Sequence, residues 1–250
     1  CLFIRDISWY YLSQVYSQPY VYDPNSKAIP VHLEAVTEPG HNEAPLWTIG
    51  EIYDQIIKDL SSSAIAALPT NGESSFSPII PSQPAAHMLL QRIYMAKQEW
   101  QKAIEEGEKV TGFTLSGSVR EMFDAPYHTQ ENIYSLPFTN TERGSGNPAS
   151  YISSGAGYID TLNVRTGIVT IPAYHLATDS RTSFIKVDPA NGRETWYEKY
   201  DEYTTPLEWI HIFRYAETLL NLSESYFNIG NDAKSAELLH QVRSRSIPTG

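Results

Sequence analysis

The stretch "FRYAETLLNLSESYFNIGNDAKSAELL", residues 213–239, decides the fold. Apolar residues recur at helical spacing from Ile212 to Phe227, a Gly-Asn pair then interrupts the pattern, and a second helical pattern begins at Ala233. The stretch therefore predicts two helices joined by a short turn, a helical hairpin that serves as structural frame. We expect the side chains that this hairpin buries to be Leu219, Leu220, Phe227 and Ala236.

A second stretch, "AAHMLLQRIYMAKQEWQKAIEEGEKVTGF" at residues 85–113, repeats this pattern. Its Ala86 matches Ala216 of the hairpin, and in both stretches a short second helix with alanines follows the turn. A small alanine where two helices cross lets their backbones approach closely. The two units resemble tetratricopeptide repeats, although Gln98 stands where such a turn usually has glycine.

A further helix begins at Thr48, which stands where an N-cap belongs, and Glu51 three residues later completes a capping box. Apolar residues then hold one face of this helix until Pro69 ends it. Asp54 and Lys58 have the i, i+4 spacing of an ion pair on the solvated side.

The first stretch, residues 1–19, also has helical spacing, with a predicted apolar face of Phe3, Ile7, Tyr10, Tyr11 and Val15. It is typical of a helix interior and not of a signal peptide, so we expect the chain to begin partway through a larger protein. The single cysteine, Cys1, excludes an internal disulfide and a zinc site built from cysteines.

Composition excludes some classes of function. The 250 residues carry 18 Lys and Arg against 29 Asp and Glu, a net charge of −11, so nucleic acid is not an expected partner. The sequence has no run of about eighteen apolar residues that would span a membrane. The 17 Tyr and 5 Trp supply many flat apolar faces with a polar edge, which suit binding.

The segment from 113 to 205 differs in kind from the helical stretches. "ENIYSLPF" at 131–138 and "GIVTIPAY" at 167–174 predict short edge strands, and a Gly-rich loop lies between them. A long loop inside a compact domain is commonly functional, and aromatic faces and polar side chains of this region suit the rings and hydroxyls of a sugar. We predict the ligand-binding residues to be Tyr151, Tyr158, Asn147, Arg143, Asp160, Tyr127 and Trp196.

The sequence carries no motif of a catalytic site. The seven histidines never have the two-His helical spacing of a zincin, and the nucleophile-elbow and phosphate-loop patterns are lacking, so we expect no metal, cofactor or catalytic residue. A solvated helix face is expected from the carboxylates of Glu105, Glu106 and Glu108. Glycosidase chemistry needs two carboxylates across a cleft, an arrangement that sequence alone leaves open for Asp160, Asp179 and Asp188.

Six motifs, in their order along the chain, resemble the SusD/RagB-like outer-membrane lipoproteins of Bacteroidetes. They are the first aromatic helix, the helix after Thr48, the Ala-rich pair, the strand at 131–138, an Asp-x-Arg element at Asp179 and Arg181, and the closing hairpin. The family is longer at both ends, and Cys1 does not match its lipid-bearing position. The resemblance implies a protein that covers a TonB-dependent transporter like a lid and captures glycan, or in some members peptide, outside the cell without cleaving it.

The sequence thus predicts a mainly α, SusD-like protein of tetratricopeptide-like helix-turn-helix pairs with an irregular, weakly β excursion, in one domain of residues 1–250. The helical frame is expected at about 1–112 and 206–247, and the ligand-side excursion at about 113–205. The expected function is non-catalytic binding of glycan or oligopeptide at the cell surface for a SusC-like transporter, with a membrane link only through a lipid anchor outside this chain. The alternatives are a tetratricopeptide-type scaffold for a protein partner and, least favoured, a glycoside hydrolase.

Overall fold

The computed structural model describes residues 2–34, 37, 43–70, 78–139, 141, 178–184, 186–187, 194–195 and 207–247. The chain divides into two compact units: unit 1 comprises Cys1–Phe76, Ile80–Gly112 and Asn221–Ser235, and unit 2 comprises Ser77–Ile79, Phe113–Leu220 and Ala236–Gly250. The single-domain boundaries stay a prediction. None of the described helices is both long enough and apolar enough to cross a membrane.

Unit 1 is built from helices around an aliphatic core. Its elements are α1 (Leu2–Tyr16), an antiparallel pair of β1 (Lys27–Pro30) and β2 (Leu46–Thr48), α2 (Ile49–Asp59), α3 (Ser62–Ala66), α4 (Gln83–Ala96) and α5 (Trp100–Glu108). The centre of the core consists of side chains with no exposed surface, Ile52, Ile56, Met88, Leu89 and Ile93. These residues recur at helical spacing on α2 and α4, which is why the two helices bury the faces they do.

The capping box at the start of α2 is confirmed. The Glu51 N–H donates to Thr48 Oγ1 over 3.1 Å, and the Thr48 N–H donates to the Glu51 carboxylate over 2.7 Å. The predicted single helix up to Pro69 is wrong, because the backbone turns extended at Ser61 before α3 begins. Serine competes for backbone hydrogen bonds and favours such helix ends.

The predicted pairing of Asp54 with Lys58 is also wrong. The Asp54 carboxylate accepts instead from the Lys97 ammonium, 2.7 Å away and distant in sequence. Lys97 ends α4, so this ion pair joins the surfaces of two helices in unit 1, whereas an i, i+4 pair would have supported α2 alone.

The α4–α5 pair is a tetratricopeptide-like unit, as predicted. Gln98 in its turn has a φ of 58°, the left-handed conformation that glycine usually supplies in such turns. The helices approach so closely that a Cβ on Gly107 of α5 would lie 2.1 Å from Gln91 Nε2. A larger residue at Gly107 would therefore force the pair apart.

The closing hairpin consists of α6 (Tyr215–Asn228) and α7 (Asp232–Ser244), with Gly230 at a φ of 81° in the turn. Its predicted core is correct for Leu219 only, since Leu220 is 41% exposed, Phe227 is 63% exposed, and Ala236 is exposed as well. The buried face of α6 consists largely of small or polar residues, Ala216, Thr218, Leu219, Leu222, Ser223 and Ser225.

Small side chains explain the corrected packing of the hairpin. The Ser223 hydroxyl donates to the Ser235 carbonyl over 2.8 Å, which holds the two helices close together. Leu220 and Phe227 consequently point outward, while Leu219 and Leu222 remain buried. A similar correction applies to α1, where Phe3 and Ile7 are buried as predicted but Tyr11 and Val15 are exposed.

Unit 2 contains less regular structure in its described part. β3 (Asn132–Leu136) pairs antiparallel with β6 (Ile210–Arg214), and β4 (Lys186–Val187) pairs with β5 (Glu194–Thr195). The frame predicted from 206 onward therefore begins with a strand, and the helix starts at Tyr215. The strand predicted at 131–138 is confirmed, and the one at 167–174 lies outside the described residues.

A small apolar cluster stabilises the irregular segments of unit 2. Met122 ends a 3-10 helix (Arg120–Met122), and Phe123 follows it; both pack with Phe184 of a second 3-10 helix (Ser180–Phe184). The rings of Phe123 and Phe184 meet edge to face with centroids 6.1 Å apart. The fold is thus mainly α with tetratricopeptide-like pairs and an irregular, weakly β part, as predicted.

Candidate ligand-binding surface

Among the predicted site residues, Tyr127 lies in the described part of the chain. Six others lie outside it: Arg143, Asn147, Tyr151, Tyr158, Asp160 and Trp196. Tyr127 belongs to the loop between the first 3-10 helix and β3 in unit 2. In the described part of the chain, the candidate surface therefore consists of Tyr127 and its neighbours.

The backbone around Tyr127 has an uncommon conformation. The Ala125–Pro126 peptide is cis, and Tyr127 has a φ of 64°, in the left-handed region that few non-glycine residues occupy. The Tyr127 N–H donates to the Asp124 carbonyl over 2.7 Å, which closes the turn.

The next residue, His128, forms a flat aromatic pair with Trp209. The two rings stack with centroids 5.0 Å apart and planes inclined by only 17°. His128 is exposed and Trp209 is half-buried. The His128 Nδ1–H donates to the Pro126 carbonyl over 3.1 Å, because a carbonyl accepts only, and this bond fixes the orientation of the imidazole.

A buried polar network holds the strand that follows Trp209. The His211 Nε2–H donates to the Met122 carbonyl over 2.8 Å, so its Nδ1 is left as an acceptor. Nδ1 lies 2.7 Å from the Asn132 amide nitrogen and 3.2 Å from the Ser135 hydroxyl, both on β3. The network ties β3 and β6 to the loop and gives Trp209 a rigid support.

The arrangement is suited to stacking and hydrogen bonding. The stacked His128 and Trp209 offer an aromatic surface to the C–H face of a ring, and the Asp124 carboxylate lies in the same loop. Asp124 is half-exposed and accepts from Arg120 Nε over 2.8 Å, so it is already oriented as a hydrogen-bond acceptor. Within the described residues, no group of His, Cys, Asp and Glu is arranged to hold a metal ion.

Two carboxylates of α5, those of Glu106 and Glu108, make structural contacts, whereas Glu105 is exposed as predicted. Glu106 is mostly buried and lies 2.6 Å from His87 Nδ1, which corrects the expectation that it belongs to a solvated face. Burial raises its pKa, but hydrogen bonds from His87 and Lys109 outweigh that effect and hold the pKa of Glu106 below its usual value. Glu108 accepts a short hydrogen bond from the Tyr226 hydroxyl.

Unit 1 carries an aromatic group of its own, which the sequence patterns did not single out. Tyr53 lies between Tyr10 and Tyr20, with ring centroids 6.2 Å and 5.7 Å away and nearly parallel planes. Tyr53 is almost fully buried and offers no surface to a ligand, whereas Tyr16 and Tyr22, near Tyr20 in sequence, are 63% and 82% exposed. The stack packs α1 against α2, which is a structural role.

Sequence reasoning missed His128 and Trp209 as a pair, because 80 residues separate them. It assigned Trp209 to the helical frame. One available signal was the connection "PLEW" at 206–209, where a tryptophan three residues after a proline follows no helical pattern.

Comparisons with known proteins agree with this architecture. Residues 1–95 match a SusD-like family model described as starch-binding associating with outer membrane. A crystal structure of a SusD superfamily protein from Bacteroides fragilis is 37% identical, with a TM-score of 0.88, and the match covers 99% of this chain and 56% of that one. No curated protein sequence matches this chain.

Two further structures show the same fold at lower identity. A SusD superfamily protein from Bacteroides thetaiotaomicron is 20% identical with a TM-score of 0.79, covering 99% of this chain and 58% of that one. The surface glycan-binding protein A from Bacteroides uniformis is 16% identical with a TM-score of 0.69, and the match covers 98% of this chain and 58% of that one. The chain thus spans a little over half the length of these relatives.

Proposed function

Because this chain belongs to the SusD-like family, we propose that it binds a carbohydrate at the outer face of the outer membrane without converting it. The captured carbohydrate passes to a SusC-like TonB-dependent transporter. A lipid anchor outside this chain provides the link to the membrane. Oligopeptide is the other ligand class that the same aromatic and polar groups would accept.

The observation that carries the proposal is the 37% identity over 99% of the chain to a SusD superfamily protein. The family description names starch binding and the outer membrane, and one structural relative is named a glycan-binding protein. The stacked His128 and Trp209 supply the kind of surface that such a function uses.

The binding surface is proposed to consist of the His128–Trp209 pair with Tyr127, together with six residues of the 139–205 segment. A stacking platform from Tyr151 or Tyr158 and from Trp196 would cover sugar faces, and polar contacts would come from Arg143, Asn147 and Asp160. Loops commonly carry such binding residues on a rigid frame.

A panel of polysaccharides and oligopeptides tests the proposal. The chain is titrated with amylopectin, other plant and host glycans, and mixed oligopeptides, and we expect saturable binding to one glycan class. Tyr151→Ala or Tyr158→Ala should weaken that binding by about 1–3 kcal/mol without changing the helical signal. Saturable binding to peptide alone would overturn the carbohydrate assignment.

The absence of catalysis needs a separate test. Any bound glycan is incubated with the chain for a long period and the products are separated by chromatography. We expect the glycan to remain intact. A product that disappears when one carboxylate, such as that of Asp160 or Asp188, is replaced by an amide would establish a hydrolase instead.

A further inference from the structure

A cavity in unit 2 is lined by aliphatic and cationic side chains, and none of its lining residues in the described part of the chain is aromatic. It has a volume of about 450 Å³ and is open on one side. Its lining consists of Val119, Arg181, Leu220, Leu239, Val242, Arg243, Arg245, Ser246 and Ile247. Aliphatic walls without an aromatic face do not suit a sugar ring, so this cavity is distinct from the proposed carbohydrate surface.

One wall of the cavity is a helical stripe. Leu239, Val242, Arg243 and Ser246 follow the i, i+3, i+4, i+7 spacing along α7 and the turn after it. Such a stripe is the pattern by which one helix buries a face against another polypeptide element. Leu239 is nevertheless 46% exposed, and Leu220 opposite it is 41% exposed.

The charges at the cavity leave one cation uncompensated. Arg181 Nε and Nη2 form a fork on the Asp179 carboxylate, with distances of 2.9 Å and 2.6 Å. Arg245 donates to the buried Glu131 carboxylate. The backbone carbonyl of Arg243 accepts hydrogen bonds from Ser246 and Ile247, but its guanidinium donates no hydrogen bond and forms no ion pair within the part of the chain that the structure describes. Three guanidinium groups therefore face two carboxylates, and one positive charge remains.

The two engaged arginines are held rigidly, so the cavity is preformed. The Ser180 N–H donates to the Ser246 carbonyl over 2.8 Å and fixes the second 3-10 helix to the end of α7. Asp179 is 3% exposed; burial raises its pKa, but hydrogen bonds and charge from Arg181 and the charge of Arg243 bring it below the usual value. Arg243 thus lies close enough to act on a carboxylate at this site.

We propose that this cavity is a docking site for a polypeptide segment that presents aliphatic side chains together with one carboxylate. The aliphatic side chains cover Leu220, Leu239 and Val242, and the carboxylate bonds to Arg243. The helical stripe favours a polypeptide over a small molecule, because it spans two turns of α7. The residual positive charge selects an acidic group.

A pair of synthetic helices tests the proposal. One helix, about four turns long, carries leucines along one face and a single glutamate beside them; its match carries glutamine in place of the glutamate. Fluorescence anisotropy measures the binding of each to the whole chain. We expect saturable binding of the glutamate helix and at least about fivefold weaker binding of the glutamine helix.

Variants of the chain locate the contact. Arg243→Gln should weaken the binding of the glutamate helix by the same factor and leave the binding of the glutamine helix unchanged. Leu239→Ala should weaken the binding of both helices. Both residues are exposed, so these variants retain the fold. Lys58→Gln on α2 is the matched control for the loss of one positive charge, and we expect it to change neither affinity.

Three results would overturn the proposal. The first is equal affinity of the two helices, or no saturable binding of either. The second is displacement of the glutamate helix by octanoate at equal concentration, which would make a small aliphatic acid the occupant. The third is a concentration-dependent dimer of the chain that Leu239→Asp abolishes, which would make a second copy the occupant.

Discussion

The two units of the molecule are stabilised by different means. The centre of unit 1 consists of aliphatic side chains with no exposed surface, such as Ile56, Leu89 and Ile93. The described part of unit 2 also buries apolar side chains, such as Ile133 and Phe213, but adds buried charged groups: Glu131 has no exposed surface and is paired with Arg245, and Asp179 is 3% exposed. Apolar packing in unit 1 therefore sets stability, whereas the buried polar pairs of unit 2 fix local geometry.

The two kinds of interaction respond differently to substitution. Apolar burial contributes in proportion to the area removed from water and tolerates small changes of shape. A buried ion pair adds little net stability, but removal of one partner leaves an uncompensated charge.

The largest effect is expected at the buried ion pair of unit 2. Arg245→Met should lower the free energy of unfolding by about 3–5 kcal/mol, because it leaves the Glu131 carboxylate buried without its partner. Denaturant unfolding measures the change. Lys102→Met, which breaks an exposed ion pair with Glu99, is the matched control and should leave the free energy of unfolding unchanged within error. Equal effects would contradict the contrast.

A slightly smaller effect is expected in the core of unit 1. Leu89→Ala removes a fully buried side chain and should lower the free energy of unfolding by about 2–5 kcal/mol. Leu220→Ala is the same chemical change at a 41% exposed position, and should cost less than about 1 kcal/mol. Leu220 was expected in the core from its sequence pattern, so similar losses at the two sites would restore that expectation.

The exception in unit 1 is Asp6, a buried carboxyl group in α1. Burial raises its pKa to about 8, and the charge of Asp59 adds to the effect while Arg5 opposes it. The folded state therefore binds a proton that the unfolded state releases near pH 3.8. Its contribution to stability is fully present below that pH and is lost as the pH rises through about 8.

The variant Asp6→Asn removes this pH dependence. Between pH 4 and 8 the parent chain should lose up to about 1.4 kcal/mol per pH unit relative to the variant, measured by denaturant unfolding at each pH. Asp54→Asn, at an exposed carboxylate of α2, is the control and should follow the parent. Parallel curves for the parent and Asp6→Asn would show that Asp6 ionises normally.

Much of the helical frame could be predicted from the sequence, because its signals are local. The Thr48 capping box and the spacing of Ala86 in α4 are set by residues three or four apart. The break at Ser61 and the outward orientation of Leu220 depend on tertiary packing, which periodicity does not contain. The serines that bring α6 and α7 together are polar and carry no apolar signal.

The candidate surface was harder to predict for the same reason. The sequence indicated Tyr127 from its position in an irregular segment, but the stacking of His128 on Trp209 joins residues 81 positions apart. The pairing of Arg245 with Glu131 spans 114 positions and could not be predicted from the sequence either. Long-range pairs depend on how the strands β3 and β6 meet, and a single sequence does not state that.

Glycan binding by the parent chain and by Trp209→Ala tests whether unit 2 carries a carbohydrate-binding surface whose residues are not needed for stability. We expect Trp209→Ala to weaken glycan binding by about 1 kcal/mol, roughly fivefold in Kd, with the melting temperature unchanged. Phe227→Ala, at a 63% exposed aromatic residue of α6 in unit 1, should bind as the parent does. Equal Kd values for the parent and Trp209→Ala would contradict the account.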